Sequence, residues 1–66
     1  MKIFFDNTET DEHVYVNSDY IPRQGDFVTY YSPREQEEIY MEVKYIDYKY
    51  IGNTLSEIKI TVAPED

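Results

Sequence analysis

Asp6, Glu9, Asp11, Glu12 and His13 stand within eight residues of one another, the densest gathering of metal-ligating side chains in the sequence. Oxygen donors beside one imidazole suit a hard or borderline divalent cation. A calcium loop, however, needs oxygen ligands at fixed positions around a central glycine, and this stretch has no glycine. A structural zinc site would need several His or Cys ligands, and the chain has one histidine and no cysteine. The stretch 6–12 is therefore expected to be an exposed acidic loop that takes up ions only adventitiously, and no metal or other cofactor is expected. Nucleophilic catalysis needs a nucleophile, a base and a third group that orients the base. His13 is the sole imidazole, Ser18, Ser32 and Ser56 sit among turn-forming residues, and no pair of carboxylates stands out. No catalytic residue is assigned, and the chain is read as non-enzymatic.

The side chains that remain are suited to recognition. Eight of the 66 residues are tyrosine, too many for so small a core, and in the Tyr30-Tyr31 pair strand geometry must send the rings to opposite faces. Some rings therefore face water. They either cover the ends of a small β-fold or form a binding face, since Tyr offers large contact area at low entropy cost. Fourteen Asp and Glu against six Lys and Arg leave a formal net charge of -8. Such a chain is repelled by nucleic acid and by anionic membranes, so direct binding to either is not expected, and a basic surface is the natural partner. The same charge also serves solubility in a small tyrosine-rich protein.

These residues must be positioned by strands, and the stretch from Glu38 to Ile51 organises the rest. Its apolar residues alternate at Ile39, Met41 and Val43, then resume one position out of phase at Ile46, Tyr48 and Tyr50. One extra residue near Lys44-Tyr45 restores the phase, which predicts a β-bulge that bends one strand around a closed sheet. Its outward row is Glu38, Tyr40, Glu42 and Lys44, then Tyr45, Asp47 and Lys49, approached through Glu35 and Glu37. Carboxylates two residues apart on a strand are about 6.8 Å apart, on the scale of neighbouring phosphates. The candidate partner-binding residues are therefore Glu35, Glu37, Glu38, Tyr40, Glu42, Tyr45 and Asp47.

Around that strand, Lys2 to Phe5 reads as an edge strand and His13 to Val16 as a second, ended by Asn17-Ser18-Asp19. In Pro22-Arg23-Gln24-Gly25-Asp26, proline sets an extended entry, glycine can take a positive φ and Asp26 can bond back to the turn amides. Phe27 to Tyr31 follows as a strand, with Val28 and Tyr30 on one face and Phe27, Thr29 and Tyr31 on the other. Ser32 to Glu37 is a polar turn with room for one helical turn at Pro33. Gly52-Asn53 marks a hairpin into Ser56 to Val62, whose Ile58, Ile60 and Val62 point inward. Pairing Ile46 with Ile58, Val43 with Ile60 and Met41 with Val62 makes each inward pair apolar, and it requires a turn longer than two residues. Residues 63–66 are expected to be a flexible tail.

Pro22-x-x-Gly25-Asp26-x-Val28, then Val43-x-x-Ile46-x-Tyr48 and Ile58-x-Ile60-x-Val62, resembles the layout of small SH3-like β-barrel proteins of phage and bacterial type, over about residues 20–62. The resemblance implies a non-catalytic module that binds peptides, nucleic acid or larger assemblies, and it supplies no matching peptide-binding motif. No helical period appears over a useful window. The expected fold is therefore all-β: one domain over residues 1–66, a small SH3-like five-stranded antiparallel barrel or sandwich. The expected function is an inhibitor that occupies the basic surface of a nucleic-acid-binding protein by imitating nucleic acid, as small phage counter-defence proteins do. The alternative is a structural component of a phage or mobile element that assembles as a homo-oligomer. With no apolar run of membrane-spanning length and no signal-peptide core at Met1 to Phe5, a cytoplasmic location, in the producing or a host cell, is the default.

Overall fold

A computed structural model describes residues 2–65; the expectations for Met1 and for Asp66 of the tail lie outside the described residues. The chain forms five strands, β1 (Lys2–Asn7), β2 (Glu12–Asn17), β3 (Phe27–Ser32), β4 (Glu37–Ile51) and β5 (Thr54–Ala63), with no helix among the described residues. They make one sheet in the order β2-β1-β5-β4-β3. Three of its ladders are antiparallel, and the fourth, between β1 and β5, is parallel. The expected all-β fold is present as a mixed sheet curled into a half-barrel.

The bend in β4 arises where the broken alternation places it. Val43 pairs with Val62 and Tyr45 with Thr61, so Lys44 is the extra residue, and its ammonium reaches the Glu42 carboxylate at 2.9 Å. On the far side of the bulge Ile46 faces Ile60 and Tyr48 faces Ile58. The inward pairs are apolar, as expected, but the register differs by two residues from the one the alternation suggested. Gly52 takes φ 61° in a two-residue turn, so Ile51 pairs with Thr54 and Tyr50 with Leu55. A second shift, with Ser56 as the extra residue on β5, then recovers the apolar match. A tight turn and two bulges do what one bulge and a long turn were expected to do.

Two further expectations are corrected. Lys2 to Phe5 is an interior strand, flanked by β2 and β5, and the edges of the sheet are β2 and β3. The consecutive run Ile3-Phe4-Phe5 is buried on both faces, as an interior strand requires, with Phe4 covered by Tyr15 at 5.2 Å between ring centroids. The stretch 6–12 is also not one exposed loop. Asp6 and Asn7 end β1, Glu12 begins β2, and Asn7 and Glu12 are buried. At the other end of the chain Ala63 belongs to β5, and Pro64 and Glu65 are exposed.

The concave side holds the core: Ile3 and Phe5 of β1, Val14 of β2, Tyr30 of β3, Met41 and Val43 of β4, and Ile58, Ile60 and Val62 of β5. Phe5 and Tyr30, from strands three places apart in the sheet, stack at 5.2 Å, which is possible only because the sheet curls onto itself. Ile21 packs on this core, and the turn after it works as its residues predict. Gly25 takes φ 93°, Asp26 N–H donates to the Arg23 carbonyl, and the Asp26 carboxylate accepts from Arg23 N–H at 2.9 Å. Gly25 N–H and the Asp26 carbonyl then bond Val43 in both directions, beside the bulge.

Candidate protein-binding surface

Pairing of β3 with β4 sets Phe27 against Glu42, Thr29 against Tyr40 and Tyr31 against Glu38. Side chains of even and odd positions alternate between faces, so Phe27, Tyr31, Glu38, Tyr40 and Glu42 share the convex face while Tyr30, Ile39 and Met41 enter the core. The rings of Phe27 and Tyr40 stack at 5.4 Å and 4°. Beyond the bulge Tyr45 and Asp47 continue the same face. Tyr40 and Tyr45 are 63% and 67% exposed, large values for rings held on rigid strands.

Five of the expected binding residues, Glu38, Tyr40, Glu42, Tyr45 and Asp47, thus form one surface. Glu35 and Glu37 do not belong to it. Glu35 lies in the β3–β4 turn, and Glu37, paired with the buried Ser32, faces the mouth of the half-barrel. There, with Glu9 and Glu12, they surround a hollow of about 250 Å³. Phe27 and Tyr31 were absent from the expected set, although their strand alternation already gave them one face. The turn from Ser32 to Glu37 was expected; the missing step was the register in which it hairpins β3 onto β4.

Charge is distributed differently from the rings. On the convex face Glu42 is joined to Lys44, Asp47 sits opposite Lys59, and Lys49 sits opposite Glu57. Acid outnumbers base at the end of the molecule where the β1–β2 and β3–β4 turns meet, with Glu9, Glu12, Glu35 and Glu37 around one hollow and Arg34 beside them. These two turns share one construction. Asp11 N–H donates to the Asn7 carbonyl and Gln36 N–H to the Ser32 carbonyl, at 2.8 and 2.7 Å, with Asp11 and Gln36 at φ 61° and 58°. The side chain that opens each turn also caps it: Asn7 Oδ1 accepts from Glu9 N–H, and Ser32 Oγ from Glu35 N–H.

The caps then lock the edges together. Ser32 Oγ donates to the Glu12 carboxylate at 2.7 Å, Arg34 N–H donates to it at 3.2 Å, and the Arg34 guanidinium donates to the Thr10 carbonyl. Asn7 Nδ2 donates to the Tyr30 hydroxyl at 2.7 Å. Burial pushes the Tyr30 phenol above its ordinary value, against the Asn7 hydrogen bond that favours phenolate; the Glu12 carboxylate adds to the rise and Arg34 opposes it. This clasp stitches β2 to β3 with side chains where no backbone ladder joins them.

Of the metal-ligating stretch, Asp6, Asp11 and His13 bring one donor atom each within 4.8 Å of one another. Asp6 and His13 are partners in the β1–β2 ladder, and Asp11, at φ 61°, lies in the turn that joins those strands. Asp6 and His13 already bond one another at 3.1 Å, while Glu9 and Glu12 lie elsewhere, around the acidic hollow. No helix among the described residues is long and apolar enough to cross a membrane. Compared with protein families, with characterised proteins and with solved structures, the chain matches none.

Proposed function

We propose that the chain is a non-enzymatic protein-binding module whose convex face docks on a basic protein in the place of nucleic acid. The observation that carries this reading is the contiguous run of Tyr31, the Phe27–Tyr40 stack and Tyr45 on one rigid face, ending at Glu38 beside the acidic turns. Stacked rings supply contact area at fixed geometry, and a net charge of -8 draws a basic partner in over long range. The acidic turns extend the face at one end, so Glu35 and Glu37 belong to the rim of the contact and not to its centre.

The test is retention of a basic protein from nuclease-treated lysate on the immobilised chain, compared with a Tyr40→Ala, Glu38→Lys variant. Both side chains are exposed, so the fold is expected to survive. The variant should lose the protein, nucleic acid should compete for it, and binding should weaken about tenfold or more from about 50 to about 500 mM NaCl. A partner retained equally by the variant, or indifferent to salt, would sink the reading.

A second reading is favoured by the tip of the β4–β5 hairpin, which extends past the ladders to β3 and β1 and exposes Tyr50, Ile51 and Leu55. An apolar tip of this kind suits a homo-oligomeric assembly component. Sedimentation decides it: a stable oligomer that Ile51→Lys reduces to monomers supports assembly, and a monomer at high concentration excludes it.

A further inference from the structure

Along the seam between β2 and β3 the half-barrel is clasped at one end and hollow toward the other. At the closed end the Glu12–Ser32–Arg34 clasp joins β2 to β3; toward Val16 and Val28 the two edge strands separate around a hollow of about 370 Å³. Its floor is apolar, made by Ile3, Phe5 and Tyr30, its walls are Val16 and Val28, and Ser18, Tyr20 and Pro22 of the β2–β3 connection line its far end. Neither wall strand has a ladder partner on the side facing the seam. The groove therefore combines an apolar base with two rows of backbone donors and acceptors, and an extended main chain is the ligand chemistry that satisfies both rows at once.

We infer that the seam between β2 and β3 binds an extended segment of a partner protein, apolar at alternate positions and carrying Lys or Arg at the end that reaches the clasp. Two strand spacings, about 9.6 Å, are what one added strand needs between two edges, and six-residue walls run about 20 Å, enough for four or five residues short of the clasp. The basic end follows from charge. Glu9, Glu12, Glu35 and Glu37 surround the hollow just beyond the clasp, and the whole chain, at -8, repels an acidic segment. Insertion of such a segment completes the barrel that the five strands leave unfinished.

This inference rests on the chain being a binding module, but it uses a different surface from the convex face, so the two can fail separately. The full chain is used to select from a random displayed library of peptides about ten residues long, a length that spans the seam with flanks. Alternating apolar residues ending in Lys or Arg should be enriched. A synthetic copy of the leading peptide should slow amide exchange in β2 and β3, and Val16→Lys or Val28→Lys, with folding checked by amide spectra, should weaken it about tenfold or more. Tyr40→Ala should leave peptide affinity unchanged. No enrichment, enrichment of acidic or proline-rich peptides, or protection confined to β4 and β5 would overturn the inference. So would concentration-dependent dimerisation that protects β2 and β3 without peptide, because the seam would then be filled by a second copy. A partner lost on convex-face substitution while the peptide still binds leaves the seam standing and concerns the convex face alone.

Discussion

Tyr30 is the tyrosine whose ring and hydroxyl belong to the core, and its burial ties alkaline stability to the protonated phenol. Its folded-state phenol releases a proton at higher pH than an unfolded tyrosine does. The sign follows: the unfolded state ionises first, so the stabilisation is complete below pH about 10 and is lost as pH rises from there through the folded value. Absorbance of phenolate should show a late step that coincides with unfolding. Tyr30→Phe should remove the late step. A titration curve that Tyr30→Phe leaves unchanged would show that the burial assigned to Tyr30 is wrong. Glu12 is the second residue on which this end depends. Its carboxylate accepts from Ser32 Oγ and Arg34 N–H, and its removal leaves a hydroxyl of zero exposure without that acceptor. Glu12→Ala should cost about 1–3 kcal/mol in urea unfolding. A loss comparable to that of an exposed glutamate, Glu38→Ala for example, would show that the clasp does not hold the edges together.

Hairpin turns show where local sequence suffices and where it does not. Asp11 and Gln36 sit at φ 61° and 58°, a conformation that costs side-chain-bearing residues roughly 1 kcal/mol and glycine little. Gln36→Gly, at an exposed position, should therefore raise stability by about 0.5–1 kcal/mol, measured as a higher urea midpoint at unchanged slope. A lower midpoint would mean that the chain freedom glycine adds to the unfolded state outweighs the relieved strain. Gly25 and the Lys44 bulge were legible in the sequence because each is a local necessity: one residue type fits a positive φ, and one inserted residue restores a broken alternation. The β4–β5 register was not, because alternation repeats every second residue and gives apolar pairs in more than one register; Ser56, an unremarkable serine, supplies the deciding bulge. The Ser32 to Glu37 turn was expected, but the positive φ falls on Gln36, a residue that turn chemistry does not favour there, and Asp11 was one acid among several in its stretch. Glu12 looked like one more acid in an exposed loop because its acceptor role depends on Ser32 and Arg34, twenty or more residues away. Of the binding face, the outward row of β4 could be read from its period. Phe27 and Tyr31 needed the β3–β4 pairing, and the seam needed the knowledge that β1 is interior.

For the molecule as a whole, the parallel β1–β5 ladder is the long-range closure on which curvature depends, since Phe4 meets Lys59 across nearly the full chain. Contacts so distant in sequence place folding toward the slow end for small domains. Against that closure works a net charge of -8, crowded at the turn end where Arg34 stands among Glu9, Glu12, Glu35 and Glu37. Glu42 and Lys44 are joined at 2.9 Å on the convex face, while at the turn end four carboxylates outnumber Arg34. Screening should therefore remove more repulsion than attraction, because at about 20 mM salt the Debye length is about 20 Å and like charges across the turn end act on one another. The thermal midpoint should rise by a few degrees between about 20 and about 500 mM NaCl, and a Glu35→Lys, Glu37→Lys variant should start higher and respond less. Scanning calorimetry at fixed pH measures both. A midpoint that falls with salt in the parent chain would show that favourable pairs outweigh the acidic crowding, and the turn end would then be a neutralised surface with no special attraction for a basic partner.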